Sequence, residues 1–163
     1  IKSLEKNWRK VEKKILREMV KVTGLRWKEN KITCFIVNCG SCFSYPLTIR
    51  IVNKNGKKTS NEQIIDILTH ELIHVLLFYN EAGMKEKLWK DFKKEAFRTK
   101  MHIYVHALHK HLYLKFFGKR RLKRELGKAK WLDSYIGFGY SRAWEIVEQY
   151  GYENLIARLR NVA

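Results

Sequence analysis

Residues 60–79 of the chain read SNEQIIDILTHELIHVLLFY, and the predicted fold is built around this segment. Ser60, followed three residues later by Gln63, has the form of a capping box, in which a hydroxyl caps the first turn of a helix. The apolar residues that follow are typical of a buried helix. We therefore predict a helix that begins after Ser60, ends near Tyr79 and has its stop signal at residues 80–83.

Two histidines and a glutamate lie in this helix: His70, Glu71 and His74. Side chains four positions apart share a helix face, so the two imidazoles can bind one metal ion. A zinc ion lowers the pKa of a bound water molecule, and Glu71 beside it can accept the proton and pass it to a leaving amine. The pattern predicts peptide-bond hydrolysis at one catalytic zinc ion, with Glu71 as the general base. The alternative is a pair of core histidines bonded to carbonyl groups.

Residues 67–76, ILTHELIHVL, resemble the active-site helix of the zincin metallopeptidases. The resemblance covers about residues 32–110, and the chain is most similar to the small minigluzincins of archaea. It implies a small sheet before the helix, with an edge strand that lines the substrate cleft. We expect the strand at residues 47–52 to be that edge and to hold the backbone of a peptide or protein substrate by strand addition.

A catalytic zinc ion usually has three protein ligands, and the resemblance leaves two alternatives for the third. In the gluzincin group it is a glutamate on the following helix, which implies Glu95, 21 positions beyond His74. A second helix over residues 85–117 would bring Glu95 back to the level of the metal, at about 1.5 Å per residue. If that helix begins later, His102 or His106 can complete a three-histidine site, as in the Spartan-like proteases.

The rest of the chain predicts an α+β fold. A small N-terminal mixed or antiparallel sheet packs on the active-site helix, and the C-terminal part is mainly helical. The length of 163 residues predicts a single domain over residues 1–163. The periodicity predicts further elements: a helix over residues 3–22, two strands within residues 32–52, and closing helices over residues 141–150 and 153–160.

The charge balance offers a second hypothesis about function. The chain has 34 Lys and Arg against 16 Asp and Glu, a net charge of +18. A dense basic stretch runs from Lys119 to Lys130, with Trp131 directly after it. The alternative to a peptidase is therefore a nucleic-acid-binding protein, or a protease recruited to nucleic acid, with a structural or inactive zinc site. In the simpler interpretation, these charges form a solvated helix face.

Three cysteines, Cys34, Cys39 and Cys42, lie within nine positions of one another. Half a zinc knuckle or a redox pair would have this spacing, but a structural zinc site needs a fourth ligand and a redox pair favours a helix start. We interpret them as ordinary small residues of a β connection. The sequence shows no secretory leader and no apolar run of membrane-spanning length, which predicts a cytoplasmic protein with no membrane partner.

Overall fold

The computed structural model describes residues 1–53, 55–80, 88–137 and 139–161. The helices are α1 (Lys2–Arg9), α2 (Glu12–Thr23), α3 (Asn61–Tyr79), α4 (Phe97–Leu112), α5 (Lys119–Ile136), α6 (Tyr140–Tyr150) and α7 (Tyr152–Arg160). The strands are β1 (Phe35–Val37), β2 (Phe43–Ser44) and β3 (Leu47–Arg50). The α+β class with a mainly helical part is confirmed. None of the helices in these ranges has both the length and the apolar character that crossing a membrane requires.

The chain divides into two compact units, one formed by residues 1–20 and 26–80 and the other by residues 21–25 and the chain from 81 onward. In the first unit the three strands form a mixed sheet with the order β1–β3–β2. Strand β3 pairs with β1 in parallel and with β2 in antiparallel orientation. Because β3 lies in the centre of the sheet, the prediction that residues 47–52 form an edge is wrong. The edges are β1 and β2.

Helix α3 packs on β2 and β3 in the first unit, as the sequence predicts. The Ser60 hydroxyl accepts a hydrogen bond from the Gln63 N–H at 3.3 Å, so the cap is formed, and the helix ends at Tyr79. Residues 81–83 of the predicted stop signal lie outside the described residues. The single helix expected over residues 3–22 is instead two, α1 and α2, because the chain makes a tight turn in which the Val11 N–H bonds to the carbonyl of Trp8.

In the second unit, α4 packs against α6 and α7, and α5 packs against α6. The long helix predicted over residues 85–117 is shorter, since α4 begins only at Phe97 and residues 85–87 lie outside the described part. Before α4, a 3-10 turn at Lys90–Phe92 is followed by four residues that are not helical. The buried ring of Phe92 contacts the ring of Tyr104, and the Tyr104 hydroxyl donates to the carbonyl of Leu88 at 3.2 Å. These contacts hold the segment against α4, so it does not continue into the same helix.

The two closing helices are confirmed with nearly the predicted bounds. Gly151 separates α6 from α7 with a φ of 77°, a backbone conformation that favours glycine. The N-cap residue of α6 is Gly139, which has no side chain to serve as a cap. Its first turn is capped instead by the carboxylate of Asp133 on α5, which accepts hydrogen bonds from the N–H groups of Tyr140 and Ser141.

Candidate metal centre

The two histidines of α3 project from one face of the helix, a turn apart. Their Nε2 atoms lie 3.2 Å apart. Two nitrogens bound to the same tetrahedral zinc ion at ordinary bond lengths lie about 3.3 Å apart. His70, Glu71 and His74 are only partly buried, whereas Leu72 and Ile73 between them are buried. The helix therefore buries its apolar faces and leaves two imidazoles at a separation that suits one ion.

A third histidine joins this pair. One ligand atom from each of His70, His74 and His102 lies within 4.8 Å of the others, so the three residues are close enough to hold a metal ion. Within the ranges that the structure describes, no other group of three His, Cys, Asp or Glu residues meets this condition. Three imidazoles around one ion leave a fourth position for water, which is typical of catalytic zinc sites.

The surroundings of His102 on α4 favour the tautomer and the neutral form in which an imidazole can bind a metal. Its Nδ1 donates to the carbonyl of Arg98, one turn earlier, at 2.8 Å. Because a carbonyl can only accept, this bond fixes the proton on Nδ1 and places the lone pair of the ring on Nε2. Burial lowers the pKa of His102, which favours the neutral form that binds metals. The Tyr140 ring, centred 4.3 Å from the imidazole, packs against it.

Glu95, the residue that we expected to complete the site, is not part of this group. It precedes α4, and its carboxylate accepts hydrogen bonds from Arg142, the shortest of them 2.8 Å from Nη2 to Oε1. These bonds with Arg142 hold the pKa of Glu95 below its usual range. Of the two histidine alternatives, His106 is also outside the group, buried with its ring stacked on Trp144 at 4.4 Å.

Glu71 has the environment of a carboxyl group that can exchange protons near neutral pH. Burial raises the pKa of Glu71 to about 7. A carboxyl group whose pKa lies near the working pH can accept a proton in one step and donate it in another. Its position directly after His70 places it beside the histidine pair without making it a member of the ligand group.

The cysteines form no part of the group within the described residues, and none of the three is in a disulfide. Cys42 precedes β2, where its Sγ accepts a hydrogen bond from the backbone N–H of Arg50 at 3.4 Å. Burial raises the pKa of Cys34 to about 11, so its thiol stays protonated at neutral pH. Cys42 lies in the connection between β1 and β2, whereas Cys34 directly precedes β1.

Comparison of the chain with protein-family models, with curated proteins and with solved structures gives no match. The assignment of a function therefore depends on the chemistry of the residues themselves. The sequence favoured Glu95 as the third member and gave His102 or His106 as the alternative if the second helix began later. Helix α4 begins at Phe97, after Glu95, and His102 is the member of the group. A helix start without a side-chain cap carries little sequence signal, and at α4 no cap bond forms.

Proposed function

We propose that the chain is a zinc-dependent metallopeptidase in which His70, His74 and His102 bind one catalytic zinc ion. The observation that carries this proposal is the grouping of the three ligand atoms within 4.8 Å, with Glu71 directly after the first histidine. The resemblance of residues 67–76 to the zincin active-site helix supports the same chemistry. In this proposal His102 takes the place that the gluzincin resemblance gave to Glu95.

Each residue then has a separate task in peptide hydrolysis. When bound, zinc polarises the peptide carbonyl and acidifies a water molecule. Glu71 accepts a proton from the attacking water and delivers it to the leaving nitrogen, which balances the protons over the reaction. The hydrogen bond from His102 to the carbonyl of Arg98 keeps this imidazole oriented. A ligand that is already held through its other ring nitrogen loses little conformational freedom when it binds a metal.

A peptide substrate would extend the sheet at β2. This strand pairs with β3 on one side, and it contacts the helix that carries the histidine pair. Next to it, the exposed rings of Tyr45 and Phe78 lie 5.4 Å apart, and Phe78 is one turn beyond His74 on α3. These rings favour substrates with an apolar side chain close to the scissile bond. Strand addition at β2 replaces the role that we expected for residues 47–52.

The test combines metal analysis with a search for cleavage. Wild-type protein is purified without added zinc, its metal content is measured by mass spectrometry, and it is incubated with a proteome-derived peptide pool. We expect about one zinc ion per chain and cleavage next to apolar residues. Glu71→Gln should keep the zinc and lower the cleavage rate by at least about a hundredfold, because it removes only the proton transfer.

Two results would contradict the proposal. One is a wild-type chain that contains no zinc and gains no activity when zinc is added. The other is bound zinc without turnover of any peptide, or with turnover that Glu71→Gln leaves unchanged. The Glu71→Gln variant keeps the size of the side chain, so its circular dichroism spectrum provides the control for folding.

A further inference from the structure

Helix α5 exposes one face that the proposed peptidase site does not use. Over residues 119–134 of α5, the exposed side chains are those of Lys119, Arg120, Lys123, Lys130, Trp131 and Ser134. Gly127 is exposed among them. We call this set the basic face. Leu122 and Ala129, in contrast, are buried on another side of the helix.

Helical geometry shows that the basic face is continuous. At 100° per residue, all seven of its positions fall within a sector of about 120°. The lysines 119, 123 and 130 share one half of this sector, while Arg120 and Trp131 lie at its other margin. From residue 119 to residue 131 the helix rises about 18 Å, a length that matches about five phosphates of a stacked strand. Four cations therefore line a strip of the size that a short nucleic-acid segment occupies.

The exposed positions of this face carry no acidic residue. The two acids of α5 are Glu125, about 120° outside the sector, and Asp133, about 40° beyond the margin that carries Lys119. Glu125 pairs with Lys128 at 3.3 Å, and Asp133 caps α6. The strip therefore has a net positive charge, in a chain whose net charge is +18.

Two further residues distinguish this strip from an ordinary lysine-rich surface. Gly127 lies near the centre of the face, and a Cβ added there would meet no atom within 4 Å. A polymer backbone can approach the helix closely at this point. Trp131 is 53% exposed at the end of the strip, although indole is a costly group to leave in water. Cations beside an exposed aromatic ring are the combination that binds phosphates and stacks bases of an unpaired strand.

We propose that the basic face binds single-stranded nucleic acid, with the lysines on the phosphates and Trp131 stacked on a base. This binding is independent of the zinc site, and it would keep a peptidase close to proteins that are assembled on nucleic acid. Duplex DNA is a weaker partner, since its bases are already stacked and offer no free ring face to Trp131.

The experiment measures binding of a fluorescein-labelled oligothymidine of about 20 nucleotides by anisotropy, at salt concentrations from about 50 to about 200 mM. In the test variant, Lys119, Lys123 and Lys130 are changed to glutamine. In the matched control, the exposed residues Lys6, Lys10 and Lys13 are changed to glutamine, so the net charge changes equally. We expect the test variant to bind at least about tenfold more weakly and to lower the slope of log affinity against log salt by about 2. The control should change affinity by less than about threefold.

A second pair of variants separates stacking from charge. Trp131→Ala should weaken binding by about tenfold with an unchanged salt slope, while Trp131→Phe should bind nearly as wild type. Equal losses in the two lysine variants would overturn the proposal, since they would show attraction by net charge alone. Wild-type affinity in Trp131→Ala, or tighter binding to vesicles of anionic lipid than to the oligonucleotide, would overturn it as well. Glu71→Gln should bind the oligonucleotide as wild type does. The binding test can therefore be interpreted even if the peptidase proposal fails.

Discussion

Helices α3 and α4 carry the histidines of the proposed zinc site, but different forces set where each of them begins. The first turn of α3 is held by the Ser60 hydroxyl, a cap that is local in the chain. Helix α4 begins after Ala96, which has an extended backbone and no side-chain cap. Its start depends on contacts distant in sequence, such as the bond from Tyr104 to Leu88. In the proposed site, local structure positions one pair of ligands and packing positions the third.

The largest expected effect concerns which residue is the third ligand. His102→Ala and His74→Ala should each lower bound zinc from about one ion per chain to a small fraction after dialysis against a weak chelator, because two ligands hold zinc poorly. Glu95→Ala should keep its zinc, since the Glu95 carboxylate is bonded to Arg142. Metal content is read by mass spectrometry and folding by circular dichroism.

The opposite outcome would move the site to the gluzincin arrangement. Zinc retained in His102→Ala and lost in Glu95→Ala would make Glu95 the ligand and contradict the proposed set. Arg142→Ala serves as the control, because it removes the ion pair but leaves the Glu95 carboxylate in place. Unchanged zinc in Arg142→Ala shows that the pair has a structural role only.

Helix α6 provides a third kind of helix start, a cap that comes from another helix. Asp133 accepts bonds from the N–H groups of Tyr140 and Ser141, so Asp133→Ala should lower the free energy of unfolding by about 2 kcal/mol. Burial raises the pKa of Asp133, but these hydrogen bonds outweigh it and hold the pKa below the usual value. The contribution is therefore complete above the ordinary aspartate pKa of about 4 and is lost as the pH falls through the lowered value. Urea unfolding at pH 7 and at pH 3 should show the gap between wild type and Asp133→Ala shrinking at low pH.

The contrast between these helices explains how much the sequence could predict. The bounds of α3 and the His70–His74 pair were predictable, because both follow from short-range patterns. The α+β class followed from the periodicity of apolar residues along the chain. The start of α4 was not predictable, since it depends on Phe92 and Tyr104 meeting across a turn. The central place of β3 was missed for a similar reason: β2 has only two residues, too few to give a pattern.

Removing the local cap of α3 should have a smaller effect than removing the cap of α6. Ser60→Ala loses the bond to the Gln63 N–H, and we expect a decrease of about 1 kcal/mol in the free energy of unfolding. Thermal unfolding followed at 222 nm by circular dichroism measures the change. Ser60→Asp is the control, because aspartate caps as well as serine and should restore the wild-type midpoint. An unchanged midpoint in Ser60→Ala would mean that packing, not the cap, determines where α3 begins.

The smallest effect tests whether α4 can be given the cap that it lacks. Ala96 is exposed, and its φ of −59° and ψ of 151° already suit a capping residue, so Ala96→Ser places a hydroxyl where it can accept from the Thr99 N–H. We expect a gain of about 0.5 kcal/mol in the free energy of unfolding, with zinc content unchanged. The gain should appear only at α4, because Ala157→Ser, an exposed position inside α7, adds a hydroxyl without an N–H to cap and should lower stability slightly. Equal changes in the two variants would show that the hydroxyl does not cap α4, and that tertiary contacts alone determine the helix start that positions His102.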